Sequence, residues 1–300
     1  MFYRLRRNVN YFKFYHQTRR ILETPPIAYR EAPLTIVSMV AGYDVQMYIL
    51  AMKSLYRRLK RGKITVVADG VDERSRDLIR KHLGPVTFFN VEDIDTGQCP
   101  RGGTWERLVY IVRNSAREYT MQMDADVLCV GPIPEVIDCV DSNRAFTLSD
   151  AQGLPKQPLA AWADEPRQSS NIVIVFEKRA KDYPNSANLQ YIRGSSGFAG
   201  FAKGAIDIPF LETFHRNGAH LMGERWKEWG TEQIASNFSV ANSPDSLVLP
   251  VPRYLTWERH ALPPQLSLLH FLGYCRFDRG IFADYANREI DALLRGETGA

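Results

Sequence analysis

The run Tyr119-Thr-Met-Gln-Met-Asp124-Ala-Asp126-Val-Leu-Cys-Val-Gly131 sets two carboxylates two residues apart between apolar stretches. Residues at i and i+2 of an extended segment project to the same side. At a strand end such a pair can hold one divalent cation through oxygen ligands. Acids are depleted from strands and almost never fully buried unpaired. The run therefore reads either as a cation site or as a surface turn with two solvated acids.

The sequence before it decides what kind of sheet carries it. Leu34-Thr-Ile-Val-Ser-Met-Val-Ala41 is a continuous apolar run, as in a strand covered on both faces. Gly42-Tyr43-Asp44 turns the chain, and Val45 to Lys60 has helical spacing, with Tyr48, Ala51, Met52 and Leu55 on one face. Ile64 to Ala68 is a second strand, ended by Asp69-Gly70; Arg74 to Leu83 is a helix and Val86 to Val91 a third strand. A loop with Gly97, Gly102 and Gly103 leads to a helix from Thr104 to about Glu118, and then to the strand entering Asp124. Strands alternating with helices predict an α/β fold with a mainly parallel central sheet flanked by helices. Ligands of such sheets bind beyond the carboxyl ends of the strands, where Asp69, Asp124 and Asp126 fall.

The sequence after Gly131 is less regular. Ala145 to Ser149 and Ile172 to Phe176 read as strands, and Gly153 to Ser170, with three prolines and Trp162, as a long surface loop. Gly194-Ser-Ser-Gly197 reads as a small-residue turn where backbone can approach a ligand. A helix follows from about Pro209 to Asn217, and Trp226 to Asn237, Leu247 to Pro250 and Leu266 to Gly273 complete the pattern.

The 300 residues are 45% hydrophobic and 24% charged, an ordinary globular composition. Residues 1–30 carry seven basic side chains against Glu23, a net +6, so the overall +4 leaves the remainder at −2. That near-neutral body argues against a nucleic-acid surface. The basic segment also holds Phe2, Tyr3, Tyr11, Phe12, Phe14 and Tyr15. It reads either as a contact for an anionic membrane surface or as an arm packed on its own domain or a partner subunit. Cys99, Cys129, Cys139 and Cys275 show no C-x-x-C spacing, which suggests a reduced, cytoplasmic protein without zinc. No apolar run approaches the roughly 18 residues of a membrane-spanning helix, and the N-terminus lacks the apolar core of a signal peptide.

Four further stretches bear on the Asp-x-Asp. Thr104-Trp-Glu-Arg107-Leu puts an arginine on the helix before the strand, and Ser195-Ser-Gly197 offers the small turn. Trp229-Gly-Thr-Glu232-Gln233 sets an acid and an amide at a helix start. His270-Phe-Leu-Gly273-Tyr-Cys-Arg276 offers an imidazole on an apolar strand with a cation six residues on. Alone, His270 reads as a ligand or a hydrogen-bonded core histidine, Arg107 as functional or a surface residue, and Glu232 as functional or a dipole-favoured acid. Trp105, Trp226, Trp229 and Trp257 either stack on a ligand or fill the core.

In this order, from about Leu34 to Phe277, these blocks resemble the GT-A glycosyltransferases, specifically the family-8 branch of glycogenin-like and bacterial lipopolysaccharide galactosyl- and glucosyltransferases. The chain departs from the family with Glu232 for aspartate, Ser195 for asparagine, Arg276 for lysine and Phe277 for proline. Except for Arg276, which can also grip a phosphate, the departures bear on donor identity more than on metal binding. The resemblance implies a basic extension over 1–33, a GT-A domain over 34–280 and a C-terminal helix or tail over 281–300. It implies transfer of a hexose, with retention, from a nucleotide-sugar, expected to be UDP-linked, to a glycan or glycolipid acceptor of the bacterial surface, with the enzyme cytoplasmic and peripheral on the membrane. Asp124, Asp126 and His270 would hold Mn²⁺ or Mg²⁺. Val40, Ala41, Tyr43, Asp69, Arg107, Asp124, Ala125, Ser195, Ser196, Gly197, Gly273 and Arg276 would bind the donor. Glu232, Gln233 and Arg107 would act at the sugar, and loops 153–170 and 251–265 would wall the acceptor. Two other readings are a catalytically inactive binding protein with this fold and a haloacid-dehalogenase-type phosphohydrolase with Asp124 as nucleophile.

Overall fold

The alternating strand and helix signals upstream of Asp124 fold as the expected parallel sheet. The computed structural model describes the backbone of residues 2–299 and the side chains of residues 9–299. The chain passes through α1 (Phe2–Gln17), a 3-10 turn (Arg19–Glu23), β1 (Leu34–Ala41), α2 (Val45–Leu59), β2 (Lys63–Asp69), α3 (Glu73–Leu83), β3 (Val86–Asn90), α4 (Trp105–Ser115) and β4 (Tyr119–Met123). It continues through β5 (Val127–Cys129), α5 (Pro134–Asp141), β6 (Phe146–Ser149), β7 (Gln157–Pro158), α6 (Ile172–Lys178), β8 (Gln190–Tyr191) and β9 (Gly194–Phe201). It ends with α7 (Ile208–Met222), α8 (Thr231–Ala241), β10 (Leu247–Val248), β11 (Tyr254–Trp257), β12 (Leu268–Phe271) and α9 (Ile281–Leu294).

A seven-stranded sheet has the order β10-β6-β9-β4-β1-β2-β3. β9 runs antiparallel to both neighbours, and the other pairings are parallel. A second sheet, β11-β12-β5, starts where the first stops: β4 ends at Met123, and β5 begins at Val127. The Asp-x-Asp is thus the joint between the two sheets, and the surface-turn reading fails because Asp126 is buried.

Three expectations are corrected. Ile172 to Phe176 is the helix α6, not a strand. Its apolar run is buried nearly all round, so it has neither period, and the Asn171 side chain caps it by accepting from the Val173 amide at 2.9 Å. Gly194 to Gly197 is no turn but the start of β9, every residue of which is buried between β6 and β4. Its glycines give close passage: a Cβ on Gly197 would lie 2.5 Å from the His270 ring, and one on Gly194 2.7 Å from the Leu148 carbonyl. The 153–170 segment is also less of a surface loop than expected, since it includes β7 and a 3-10 turn with Leu159 and Trp162 fully buried.

The N-terminal segment packs on its own domain. Phe14 is 2% exposed, its ring 4.5 Å from Phe282 and 5.0 Å from Phe277; burying such a side chain contributes roughly 1.5–3 kcal/mol. This cover explains why α2 is buried on more than the one face expected. Lys53 is fully buried, donating to the Thr24 hydroxyl at 2.7 Å and the Pro25 carbonyl at 2.6 Å. Arg57 and Arg58 meet Glu289 of α9, each at 2.9 Å. The side chains of Phe2, Tyr3, Arg4, Arg6 and Arg7 lie outside the described residues.

Candidate functional site

Both sheets and two helices, α4 and α8, deliver side chains to the joint after β4. The Asp124 amide donates to the Gly197 carbonyl at 2.8 Å, tying the joint to β9. The Phe271 amide donates to the Asp126 carbonyl at 2.9 Å, and the register sets His270 opposite Val127. One oxygen each from Asp124 and Asp126 and one ring nitrogen of His270 consequently lie within 4.8 Å of one another. Two carboxylates and an imidazole form a donor set that can hold a divalent cation.

The imidazole is held between Ser195 and Asp126. His270 Nε2 is 3.4 Å from Asp126 Oδ1, while Nδ1 is 2.9 Å from the Ser195 hydroxyl. The Ser195 hydroxyl on Nδ1 is the kind of partner that fixes the ring of a metal-ligating histidine, and it leaves Nε2 facing Asp126. Ser195, expected at the sugar, thus serves the ring, and the bare Cα of Gly197 gives the ring its space.

On the β9 side lies a buried chain of charges. Arg107, on α4, reaches Asp124 and lies 3.4 Å from Glu232, in the first turn of α8. Glu232 accepts from the Ser196 hydroxyl and from the Thr104 hydroxyl, both at 3.0 Å. Thr104 has φ +74°, a left-handed conformation that costs a β-branched residue on the order of 1–3 kcal/mol and that here aims its hydroxyl at Glu232. On the opposite side Arg276 reaches Asp126 at 2.9 Å. Gly273 leaves that guanidinium its room: a Cβ there would be 3.0 Å from Nη2.

Electrostatics separate the carboxyls. Burial pushes Asp126 up, but Arg276 and then His270 outweigh it and hold it at about 2. Burial pushes Glu232 up; Arg107 opposes this and Asp124 adds to it. Burial also raises Asp44 to about 6, opposed by Arg276 and reinforced by Asp126 and Asp124. Burial would lower Arg107, yet Asp124 and Glu232 raise it.

Asp44 is a site residue that sequence reading missed. As the residue before α2 it looks like a helix cap, but its side chain makes no capping bond, and one oxygen is buried without a partner. Thr104 was missed as well. Of the expected donor residues, Val40, Ala41, Tyr43 and Asp69 gather at the ends of β1 and β2, where Ala41 pairs with Asp69. Tyr43 is exposed and Val40 and Ala125 buried. Gln233 does not meet Glu232; its amide donates to the Gly194 carbonyl at 3.0 Å. Trp105, Trp226 and Trp257 fill the core, whereas Trp229 is 76% exposed three residues before Glu232.

No model of a known protein family matches the chain, and no curated protein does. Solved structures do. The apo form of the glycosyltransferase GlyE from Streptococcus pneumoniae TIGR4 superposes with a TM-score of 0.52 at 11% identity, over 87% of this chain and 62% of that one. An active-site mutant of LgtC gives 0.51 at 12% identity, over 85% of this chain and 95% of that one. The bifunctional glycosyltransferase WbbM, apo, gives 0.51 at 10% identity, over 88% of this chain but only 51% of its own. The chain thus spans about half of WbbM and most of LgtC. At these identities the likeness is one of architecture, and the chain has the GT-A fold of glycosyltransferases.

Proposed function

We propose that this chain is a divalent-metal-dependent hexosyltransferase that uses a nucleotide-sugar, UDP-linked, and acts with retention on a glycan or glycolipid acceptor in bacterial surface glycan synthesis. The observation that carries the proposal is the convergence of Asp124, Asp126 and His270 at the sheet joint of a GT-A fold, with the Arg107–Glu232 pair alongside. Asp124, Asp126 and His270 would hold Mn²⁺ or Mg²⁺. A divalent ion there supplies charge neutralisation to a departing diphosphate, worth several kcal/mol.

The chain's own residues would do the rest. Arg276, anchored by Asp126, presents its guanidinium to the diphosphate. Arg107 and Glu232 orient the sugar hydroxyls, and Ser196 and Thr104 hold the Glu232 carboxylate still. The ends of β1 and β2, with Tyr43 and Asp69, receive the nucleoside. In a retaining reaction the departing phosphate can take the acceptor proton, so Glu232 need not act as a base. The phosphohydrolase reading needs Asp124 free as a nucleophile, and Arg107 engages it.

The reading extends to the cytoplasmic face of a membrane, where Val9 and Phe12 are exposed on the basic α1. Because Phe14 and Ile21 belong to the core, Val9→Ser/Phe12→Ser is the sound perturbation rather than a truncation. Unchanged liposome flotation of that variant would remove the membrane contact.

Thermal stabilisation by a panel of nucleotides and nucleotide-sugars, with Mn²⁺ or with chelator, tests the function. A native-state ligand at about 100 times its Kd adds about 2.7 kcal/mol. The expected result is a UDP shift that needs Mn²⁺ and is lost in Asp126→Ala. Silence across the panel would favour an inactive binding protein, and an inverted anomer in the first product, seen by proton NMR, would overturn retention.

A further inference from the structure

The helix α1 lies outside the repeating strand-helix pattern, yet it touches two separate parts of the site. The Tyr15 hydroxyl donates to the Tyr43 carbonyl at 2.7 Å, and the Tyr11 hydroxyl donates to the same oxygen. That carbonyl belongs to the turn that carries Asp44, whose buried oxygen has no partner. Two residues beyond Asp44, Gln46 donates to the Tyr15 carbonyl at 3.0 Å and to the Thr18 hydroxyl at 2.9 Å. On the other side Phe14 and Tyr11 pack on Phe277, at 5.0 and 6.0 Å between ring centroids, directly after Arg276. One helix therefore grips both the turn after β1 and the Arg276 segment.

We infer that α1 is part of the donor site: Tyr11 and Tyr15 are positioning residues that fix the Tyr43–Asp44 turn, and the Phe14–Phe277 contact fixes Arg276. This inference rests on the proposed donor site. A helix serving only the core would need no second hydroxyl on an already satisfied carbonyl. Two donors on one acceptor restrain the turn from two directions. Asp44 and Arg276 sit close enough for each charge to act on the other, and these two groups suit the hydroxyl and phosphate portions of a nucleoside diphosphate.

The test uses the full chain, with UDP and Mn²⁺ as the probe. Tyr11→Phe/Tyr15→Phe removes two hydroxyls and no packing. Net hydrogen-bond values imply that UDP binds roughly three- to tenfold more weakly. The structural control is Arg20→Ala, which cuts the 2.8 Å Arg20–Asp291 pair holding the same segment to α9; it keeps the wild-type Kd. Linkage supplies a second readout that needs no variant. Saturating UDP and Mn²⁺ slow tryptic cleavage after Lys13, since coupling between sites is reciprocal. Wild-type affinity in the double variant, equal weakening in Arg20→Ala, or cleavage after Lys13 indifferent to bound UDP would each overturn the positioning role. A wild-type chain that binds no UDP would overturn the donor reading and this inference with it.

Discussion

Arg107 offers the sharpest test of the site's electrostatics. It is 2% exposed and joins Asp124 to Glu232, which is 3% exposed. Arg107→Met keeps most of the volume and deletes the charge, leaving Glu232 buried with hydroxyl donors and no cation. Removing one partner of a buried ion pair costs about 3–5 kcal/mol. Because Ser196 and Thr104 still donate to Glu232, and Asp124 is partly open to solvent, the lower value, about 3 kcal/mol, is expected. At about 2–4 °C per kcal/mol that lowers Tm by about 6–12 °C. Urea denaturation and thermal melts measure it. The Glu232 carboxyl is already raised by burial, and loss of Arg107 raises it further. A raised folded-state value contributes stability at low pH that is lost as pH rises through it. The deficit of Arg107→Met is therefore smallest at low pH, where Glu232 is protonated, and grows as pH rises. Arg107→Met/Glu232→Gln should recover at least about half of it, a coupling typical of contacting groups. A deficit under about 1 kcal/mol, a pH-independent one, or no recovery in the double variant would refute the buried charge chain.

Two further outcomes follow from the geometry. Gly197→Ala puts a methyl carbon 2.5 Å from the His270 ring, so the imidazole must turn away; Mn²⁺ affinity, read by calorimetry, should fall by about 10–100-fold, the scale of losing a ligand's support. His82 is buried with both ring nitrogens unpartnered, and burial, then Lys53, lowers it from 6.5 to about 4. Its neutral form contributes stability that is complete above about pH 6.5 and lost as pH falls toward 4. His82→Phe should flatten that acid limb of the melting profile, and an unchanged slope between pH 6.5 and 4 would exclude His82 as its source.

How legible the molecule was differs sharply along the chain. From Leu34 to Met123 each element shows one pure signal, an apolar run or a 3.6-residue period, and the structure follows it nearly residue by residue. Ile172 to Phe176 carries no period because neighbours cover it on most sides, so β-branched content pointed to a strand where a capped helix forms. Gly194-Ser-Ser-Gly197 misled for a different reason: small residues mark both turns and strands squeezed between neighbours. Arg107, Asp124, Asp126, Glu232, His270 and Arg276 were legible as a set only through their order. Nothing local to His270 says that strand pairing will bring it to Asp126. Asp44 was hidden because an acid before a helix has an ordinary explanation, and only the missing cap bond removes it. The charges and aromatics of residues 1–30 suit a membrane or a protein surface equally; Phe14 and Phe282 decide that at least α1 is packed.

The charge balance of the site gives the metal reading an independent footing. Asp44, Asp124, Asp126 and Glu232 bring four carboxylates to one partly closed space, and Arg107 and Arg276 bring two fixed cations. Leaving His270 out of the count, the remainder is two negative charges. Low-dielectric surroundings do not tolerate such an excess cheaply; burial first, and the neighbouring carboxylates after it, push the Asp44 and Glu232 carboxyls toward protonation. A divalent cation among Asp124, Asp126 and His270 would cancel the excess and draw both carboxyls back down. Its binding should then release protons and tighten as pH rises from 5 to 7. The same arithmetic speaks to the donor: a diphosphate entering without the ion meets the uncompensated carboxylates, whereas with the ion it meets two arginines and a neutralised floor. Metal-dependent nucleotide binding is thus expected from the count of charges alone, and nucleotide binding equally tight in chelator would mean that the count omits a cation.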